Sequence, residues 1–335
     1  MLGWTHLEAR CTLSAVQIPS EMFAAVLERF GTPAELKYRR IPVPRAARGE
    51  VLIRVRAAGV GRWDAFEREG GYAQMLGSSP RFPYVLGSEG AGIVAALGEG
   101  VEGVAEGDLA IAVGFLNPRG GFYAEYSVAS AELVQKLPPG LTLEQGAAVA
   151  GVGITALRGL DDVLHVRRGD RILILGASGG VGHLALQIAK ARGAFVLAIA
   201  SGTDGVALCE RLGADVALDG RSDDCSRVIT RMEPMDVGLF AAGGEVARQA
   251  LTCIRSDGRI AYPNGVSDFD PTGDDRITAY NGEPDAEIMR RLRDAICEHH
   301  VTVHVGGAYT LRDARSAHCA LERHFLGKLV LLAES

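Results

Sequence analysis

Between Phe23 and about Gln145 the chain runs in short apolar segments broken by Gly and Pro, among them Val51 to Ala57 and Gly92 to Leu97. That pattern predicts a β-rich unit. From Arg171 onward the rhythm changes: apolar runs at Arg171 to Leu175 and Phe195 to Ile199 alternate with helical periodicity at His183 to Arg192 and Asp204 to Leu212. Strand and helix in alternation imply a parallel, doubly wound sheet. Further strands are expected at Asp236 to Phe240, Arg259 to Tyr262 and Ile277 to Tyr280, with a helix at Glu245 to Arg255. The tail reads as helices near Pro284 to Glu298 and Leu311 to His324, then a strand at Leu329 to Leu332 that packs back on the β-rich unit. The expected division is an N-terminal extension (1–21), a first β-rich part (22–148), an α/β dinucleotide-binding domain (149–282) and a C-terminal return (283–335).

Composition narrows the class. A length of 335 residues with 47% hydrophobic and 23% charged positions suffices for two buried cores. A net charge of −6, with no block of Lys or Arg, offers nothing to attract phosphate backbones or anionic lipid, so neither nucleic acid nor membrane is expected as a partner. The six cysteines are scattered without a C-x-x-C pair, which reads as reduced thiols in the cytoplasm. No run approaches the roughly 20 apolar residues of a membrane span, and the opening segment lacks the cationic start and apolar core of a secretory signal.

The strongest local signal is chemical. The strand Arg171 to Leu175 runs into Gly176-Ala-Ser-Gly-Gly-Val-Gly182, and a helix follows at once. Compared with G-x-G-x-x-G, the first glycine position is Ala177, Gly179 lets backbone approach a pyrophosphate, and Gly182 lets helix and strand pack closely. Ala177, Ser178, Gly179, Gly180, Val181 and Gly182 are therefore the expected phosphate cradle, with the helix N-terminus adding free N–H groups. About 20 residues on, where an NAD enzyme places a ribose-binding acid, the chain reads Ala198-Ile-Ala-Ser201. With no carboxylate to repel a 2′-phosphate, and with Ser201, Thr203 and Arg221 as donors, NADPH is the expected cofactor.

Several stretches together resemble one family over almost the whole chain, from Met22 to about Ala333. They are Gly49 to Val60, Leu86 to Val94, Gly107-Asp108, Ala177 to Gly182, Leu212 to Asp215 and Gly327 to Val330. They are similar to the quinone oxidoreductase branch of the medium-chain dehydrogenases/reductases, which includes zeta-crystallin. The resemblance implies an α/β fold in which a Rossmann domain joins a GroES-like β-rich catalytic domain, and a homodimer. In the zinc-dependent relatives, the positions matching Gly61 and Ser88 carry a Cys and a His that bind catalytic zinc, and the four-cysteine lobe of a structural zinc has no counterpart. Neither Gly nor Ser is a zinc ligand, so no metal is expected. Quinone oxidoreductases usually have Asn at the position of Gly61 and often Tyr at that of Phe66, both absent here. The family's Lys and Tyr near the 2′-phosphate match Gly205 and Gly220, so the NADPH expectation rests on the missing acid.

Without a metal, hydride passes directly to a bound acceptor and the protein supplies position and dryness. Gly61, Trp63 and Phe66 are expected pocket walls. Tyr72 is a candidate proton donor, corresponding to a tyrosine of polyketide enoyl reductases, with water as the alternative. Asp64 is the second candidate acid, although its sequence neighbourhood shows no cause for a raised pKa and a loop-fixing hydrogen bond accounts for it as well. Strand-end topology adds Ala242, Gly243, Pro263, Asn264, Gly265 and, from the tail, Lys328. Thr155 matches a family residue near the nicotinamide. The eight histidines read as surface residues. The expected reaction is reduction of a small quinone or conjugated carbonyl, an enone or alkenal. The alternatives are an enoyl-thioester reductase and a dinucleotide-binding protein without catalysis.

Overall fold

The computed structural model describes residues 17–269 and 271–334. Most of the expected N-terminal extension, residues 1–16 with Cys11, lies outside the described residues. The first half contains β1 (Glu21–Leu27), β2 (Leu36–Pro42), β3 (Glu50–Val60), α1 (Arg62–Arg68), α2 (Gly71–Leu76), β4 (Tyr84–Val85), β5 (Glu89–Leu97), β6 (Leu109–Val113), β7 (Tyr126–Ser130), β8 (Val134–Lys136) and α3 (Leu143–Leu157). The alternating half follows as β9 (Arg171–Leu175), α4 (Gly180–Ala191), β10 (Phe195–Ala200), α5 (Gly202–Arg211), β11 (Val216–Asp219), α6 (Asp224–Ile229), β12 (Met235–Phe240), α7 (Glu245–Leu251), β13 (Ile254–Pro263) and β14 (Ile277–Tyr280). The chain closes with α8 (Ala286–His299), β15 (Val305–Thr310), α9 (Ala314–Ala320) and β16 (Lys328–Leu332).

The alternating half forms a six-stranded sheet in the order β11-β10-β9-β12-β13-β14, parallel throughout. This order, with β9 as first strand, is that of a dinucleotide-binding sheet, whose ligand crevice opens where the order reverses between β9 and β12. Ile172 to Leu175 of β9 are buried, which explains why the run is apolar without alternation: helices cover both faces. The other half holds a three-stranded sheet, β2-β1-β4, and a larger sheet in which β15 and β16 lie beside β3, β5, β6 and β8. The tail therefore does return to the β-rich unit. Leu329 to Leu332 of β16 pair antiparallel with Ala57 to Val60 of β3.

Three helices interrupt what reads as β-rich. α1 and α2 are short, and α3 has Ala and Gly on every side, so it lacks an apolar stripe to detect. It is capped by Thr142, whose Oγ1 accepts from Gln145 N, and its small residues let it pack against β3, β5 and β6 on one flank and α4 on another. It crosses the boundary expected at 148/149. The helix expected over Glu245 to Arg255 stops at Leu251 because Ile254 already joins β13, and the one expected over Leu311 to His324 shrinks to a 3₁₀ turn and α9. Among the described residues, no helix is long and apolar enough to cross a membrane.

Candidate active site

The phosphate cradle forms where β9 ends. A Cβ at Gly182 would come within 2.2 Å of the Gly176 carbonyl oxygen, so only glycine allows this helix to start so close to its strand. Gly179 caps α4 without a side-chain hydrogen bond, so the first turn, with Gly180, Val181 and Gly182, presents its N–H groups. Ser201 and Thr203 follow β10, Arg221 follows β11, Ala242 and Gly243 follow β12, and Pro263, Asn264 and Gly265 end or follow β13. All stand at carboxyl ends of the parallel strands. Thr155 lies on α3, where its Oγ1 donates to the Gly151 carbonyl at 2.9 Å and its own carbonyl accepts from Tyr280 Oη at 3.0 Å.

The tail reaches this cradle directly. Gly327 N donates to the Ser178 carbonyl at 2.8 Å, and the next residue, Lys328, starts β16 with its side chain buried. Lys328 Nζ lies 2.6 Å from Glu89 Oε1 and 3.8 Å from the ring centroid of Trp63. The approach to Glu89 is off the angle of a hydrogen bond, so the pair is held by charge, and Glu89 Oε2 accepts from Gly151 N at 2.5 Å. Lys328, expected as a cofactor contact, is thus also the counter-ion of a fully buried glutamate that sequence reasoning missed.

Trp63 occupies the space beside Gly61. A Cβ at Gly61 would stand 2.6 to 2.8 Å from three indole ring atoms, so the indole fills the volume a side chain there would need. Its Nε1 is buried with no hydrogen-bond partner among the described residues. Phe66, on the same helix face, meets Tyr72 edge-on at 4.8 Å, and Tyr72 meets Phe115 at 4.9 Å. Phe66 and Phe115 remain 41% exposed, giving an open aromatic mouth. The surface cavity of about 470 Å³ lined by Glu50, Phe115, Arg119 and Glu283 touches this mouth only through Phe115 and includes none of the phosphate cradle.

Behind the mouth lies a buried polar network. Asp64 accepts from Gly61 N at 2.7 Å and from Ser88 N and Oγ at 3.2 Å, which fixes the loop between β3 and α1. The expectation that nothing raises its pKa is corrected: burial pushes the carboxyl up to about 6, Lys328 and the bond from Gly61 opposing. Burial and neighbouring Asp64 push Glu67 up to about 7, against a hydrogen bond from Tyr84. Arg68 Nη1 lies 2.8 Å from His318 Nδ1, and His318 Nε2 lies 3.2 Å from Tyr123 Oη. Because Arg has no lone pair, Nδ1 accepts and Nε2 donates. Burial holds His318 neutral, its pKa down at about 3, and burial with Asp64 beside it drives Tyr123 well up. The surface reading of the histidines is therefore overturned for His318, and also for the buried His183, whose Nδ1 lies 2.9 Å from the Gly179 carbonyl. Tyr72 is pushed up to about 12 by burial, then Asp64 and Glu67. Its ring stands in the aromatic wall between Phe66 and Phe115.

Zinc does not fit here. Gly61 and Ser88 provide no ligand, Asp64 spends its oxygens on the loop, the indole takes the adjoining volume, and among the described residues no three His, Cys, Asp or Glu are placed to hold a metal ion.

Comparison with known proteins adds the context. Residues 47–139 match the alcohol dehydrogenase GroES-like domain family and residues 180–268 the zinc-binding dehydrogenase family. An alcohol dehydrogenase of Rhizobium meliloti (strain 1021) is 34% identical, the match covering 72% of this chain and 76% of that one. The human quinone oxidoreductase is 36% identical over 60% of this chain and 59% of its own. Among solved structures, an NAD-dependent alcohol dehydrogenase superposes with a TM-score of 0.83 at 28% identity, covering 93% of this chain and 99% of that one. A mycobacterial structure complexed with NADPH gives 0.78 at 30% identity with the same coverage.

Proposed function

The chain belongs to the medium-chain dehydrogenase/reductase family as a quinone oxidoreductase-like, pyridine-nucleotide oxidoreductase, and we propose that it reduces small quinones or conjugated enones and alkenals with NADPH, without zinc. One observation carries this reading: the volume beside Gly61, at one of the two catalytic-zinc ligand positions, is filled by the Trp63 indole. Oxidation of a simple alcohol requires its hydroxyl proton to leave with the hydride, and a Lewis acid makes that feasible by stabilising the alkoxide. Nothing at Gly61 or Ser88 does so. A quinone or enone that accepts hydride instead spreads its negative charge over a conjugated system, so positioning and a few donors suffice.

Bound reduced nicotinamide supplies the hydride. The chain's own groups then have separate tasks. The N–H groups of the first turn of α4, with Ser178, hold the pyrophosphate. Trp63, Phe66, Tyr72 and Phe115 offer ring faces and edges to a flat acceptor and exclude water. Solvent supplies the proton.

The test is an acceptor panel. Pure protein with NADPH is assayed on 1,4-benzoquinone, 9,10-phenanthrenequinone and a short 2-alkenal, and with NADP on ethanol, 2-butanol and benzyl alcohol. Turnover of the conjugated acceptors alone is expected. Metal-independent oxidation of the alcohols, with the conjugated acceptors untouched, contradicts the proposal.

A further inference from the structure

The aromatic mouth continues past the rings that make it. Among the described residues six large apolar side chains are exposed, and four of them, Phe66, Met75, Leu76 and Phe115, belong to α1, α2 and the loop after β6. Met75 and Leu76 are the most exposed, at 72% and 61%. Apolar side chains scattered singly over a surface need no explanation, whereas a contiguous patch marks a contact.

Contiguity follows from how α2 is built. A Cβ at Gly71, its first residue, would lie 2.3 Å from Phe66 Cε2 and Cζ, so only glycine lets the helix start against that ring. Tyr72 is thereby brought edge-on to Phe66, and its ring meets Phe115 on the other side. Met75 and Leu76 stand three and four positions beyond Tyr72, on the same helix face. The apolar face therefore runs from the rings to the end of α2, about one helical turn or 5.4 Å farther out. Gly77, left-handed at φ 65°, ends the helix there.

The chemistry of the segment selects its occupant. Residues 70–80 carry no charged side chain. A helix that lies on a lipid surface sets Lys or Arg on its polar face, and the phosphate-bearing arm of a thioester calls for the same cations, so α2 suits neither. It suits an uncharged, flexible apolar chain attached to the group that lies among the rings, to which the unbranched thioether of Met75 can adapt.

We propose that Met75 and Leu76 form a subsite for an alkyl tail on the acceptor, so that the preferred substrates carry a conjugated head in the mouth and a tail of several methylenes along α2. This rests on the function proposed above, which places the head among the rings.

The test pairs turnover with binding along one series of chain lengths. trans-2-Alkenals of increasing length, from 2-butenal through 2-hexenal and 2-octenal to 2-decenal, are reduced with NADPH by wild type, Met75→Ser/Leu76→Ser and Met75→Leu/Leu76→Met. The saturated 2-ketones of the same lengths are titrated calorimetrically into the same proteins. A tail on an open face loses water from one side only, so wild-type kcat/KM and ketone affinity should each rise about twofold per methylene, half the free energy of complete burial, with the gain in KM. The serine variant should flatten both series, and the Leu/Met exchange, which keeps the apolar surface, should preserve them. Flat wild-type series, or a slope that the serine variant keeps, overturn the subsite, while turnover of 2-butenal leaves the proposed reaction standing. A ketone slope that the serine variant removes, with no alkenal or quinone turned over, leaves the subsite standing and overturns the proposed reaction. A wild type that self-associates in light scattering while the serine variant dissociates assigns the patch to a second copy of the chain and overturns the proposal.

Discussion

The aromatic mouth and the end of β10 treat charge in opposite ways. Near the aromatic mouth, Asp64 and Glu89 are 0% exposed and Lys328 is 2% exposed, each closed in by backbone donors, an indole or one another. Beyond β10, the side chains of Asp204 and His324 are 55% and 33% exposed. A buried charge must be answered within the fold, because removing one partner strands the other in a medium that solvates it poorly. An exposed pair is answered by water and contributes little to folding. The buried cluster is therefore a structural device that also shapes a pocket, whereas the exposed pair contributes little to the fold.

The largest effect that would break this contrast is at Lys328. Lys328→Met leaves Glu89 buried without its cation, and a loss of about 3–5 kcal/mol in urea unfolding is expected, with the double variant Glu89→Gln/Lys328→Met recovering much of it. A loss below 1 kcal/mol in the single variant would show that the buried end is no more demanding than the exposed one.

A second effect, smaller, reads the same end through pH. The Glu67 carboxyl titrates near 7 in the folded protein against an ordinary value of 4.5, so the folded state holds its proton more tightly than the unfolded chain. Its contribution is complete below pH 4.5 and is lost as pH rises through about 7, amounting to about 3 kcal/mol at most. Glu67→Gln should remove that slope, measured as the difference in unfolding free energy between the two proteins from pH 4.5 to 8. A difference that stays constant with pH would place Glu67 in contact with solvent.

The smallest effect sharpens the other side. His324→Ala should shift unfolding free energy by less than about 1 kcal/mol, since its partner Asp204 is well exposed. A larger loss would make the tail histidine a folding element.

What the sequence discloses follows the same division. β9 begins and ends where its apolar run places it, because a strand covered on both faces has a local signature, and β14, an edge strand with Thr278 and Ala279 exposed, keeps its expected bounds too. The glycine loop is legible for the same reason: its spacing is set by backbone approach within seven residues. α3 is missed because Gly146, Gly151 and Gly153 sit among alanines, a helix buried on several sides with no period to detect. Trp63 is legible as an aromatic near the site, but its seat in the volume beside Gly61 depends on ring placement, and the Arg68–His318 contact joins residues 250 apart. Such pairings leave no trace in local pattern. The raised pKa of Asp64 is hidden likewise, since burial is its main cause and burial is a property of the whole fold.

The pairing of β16 with β3 has a consequence for how the chain is made. Ala57 to Val60 take their partners from Leu329 to Leu332, so during synthesis the whole Rossmann sheet leaves the ribosome before that part of β3 is covered. The closing loop is long, yet its entropic cost grows only with the logarithm of its length, so the delay is a matter of time more than of free energy. For that interval the nascent chain carries an apolar strand segment with an unpaired edge, a template for pairing with another chain. Lys328 arrives with the same strand, so Glu89 waits for its cation as long as β3 waits for its neighbour. Completion of the sheet and neutralisation of the buried charge are one event, and a nascent chain stalled before residue 328 has achieved neither.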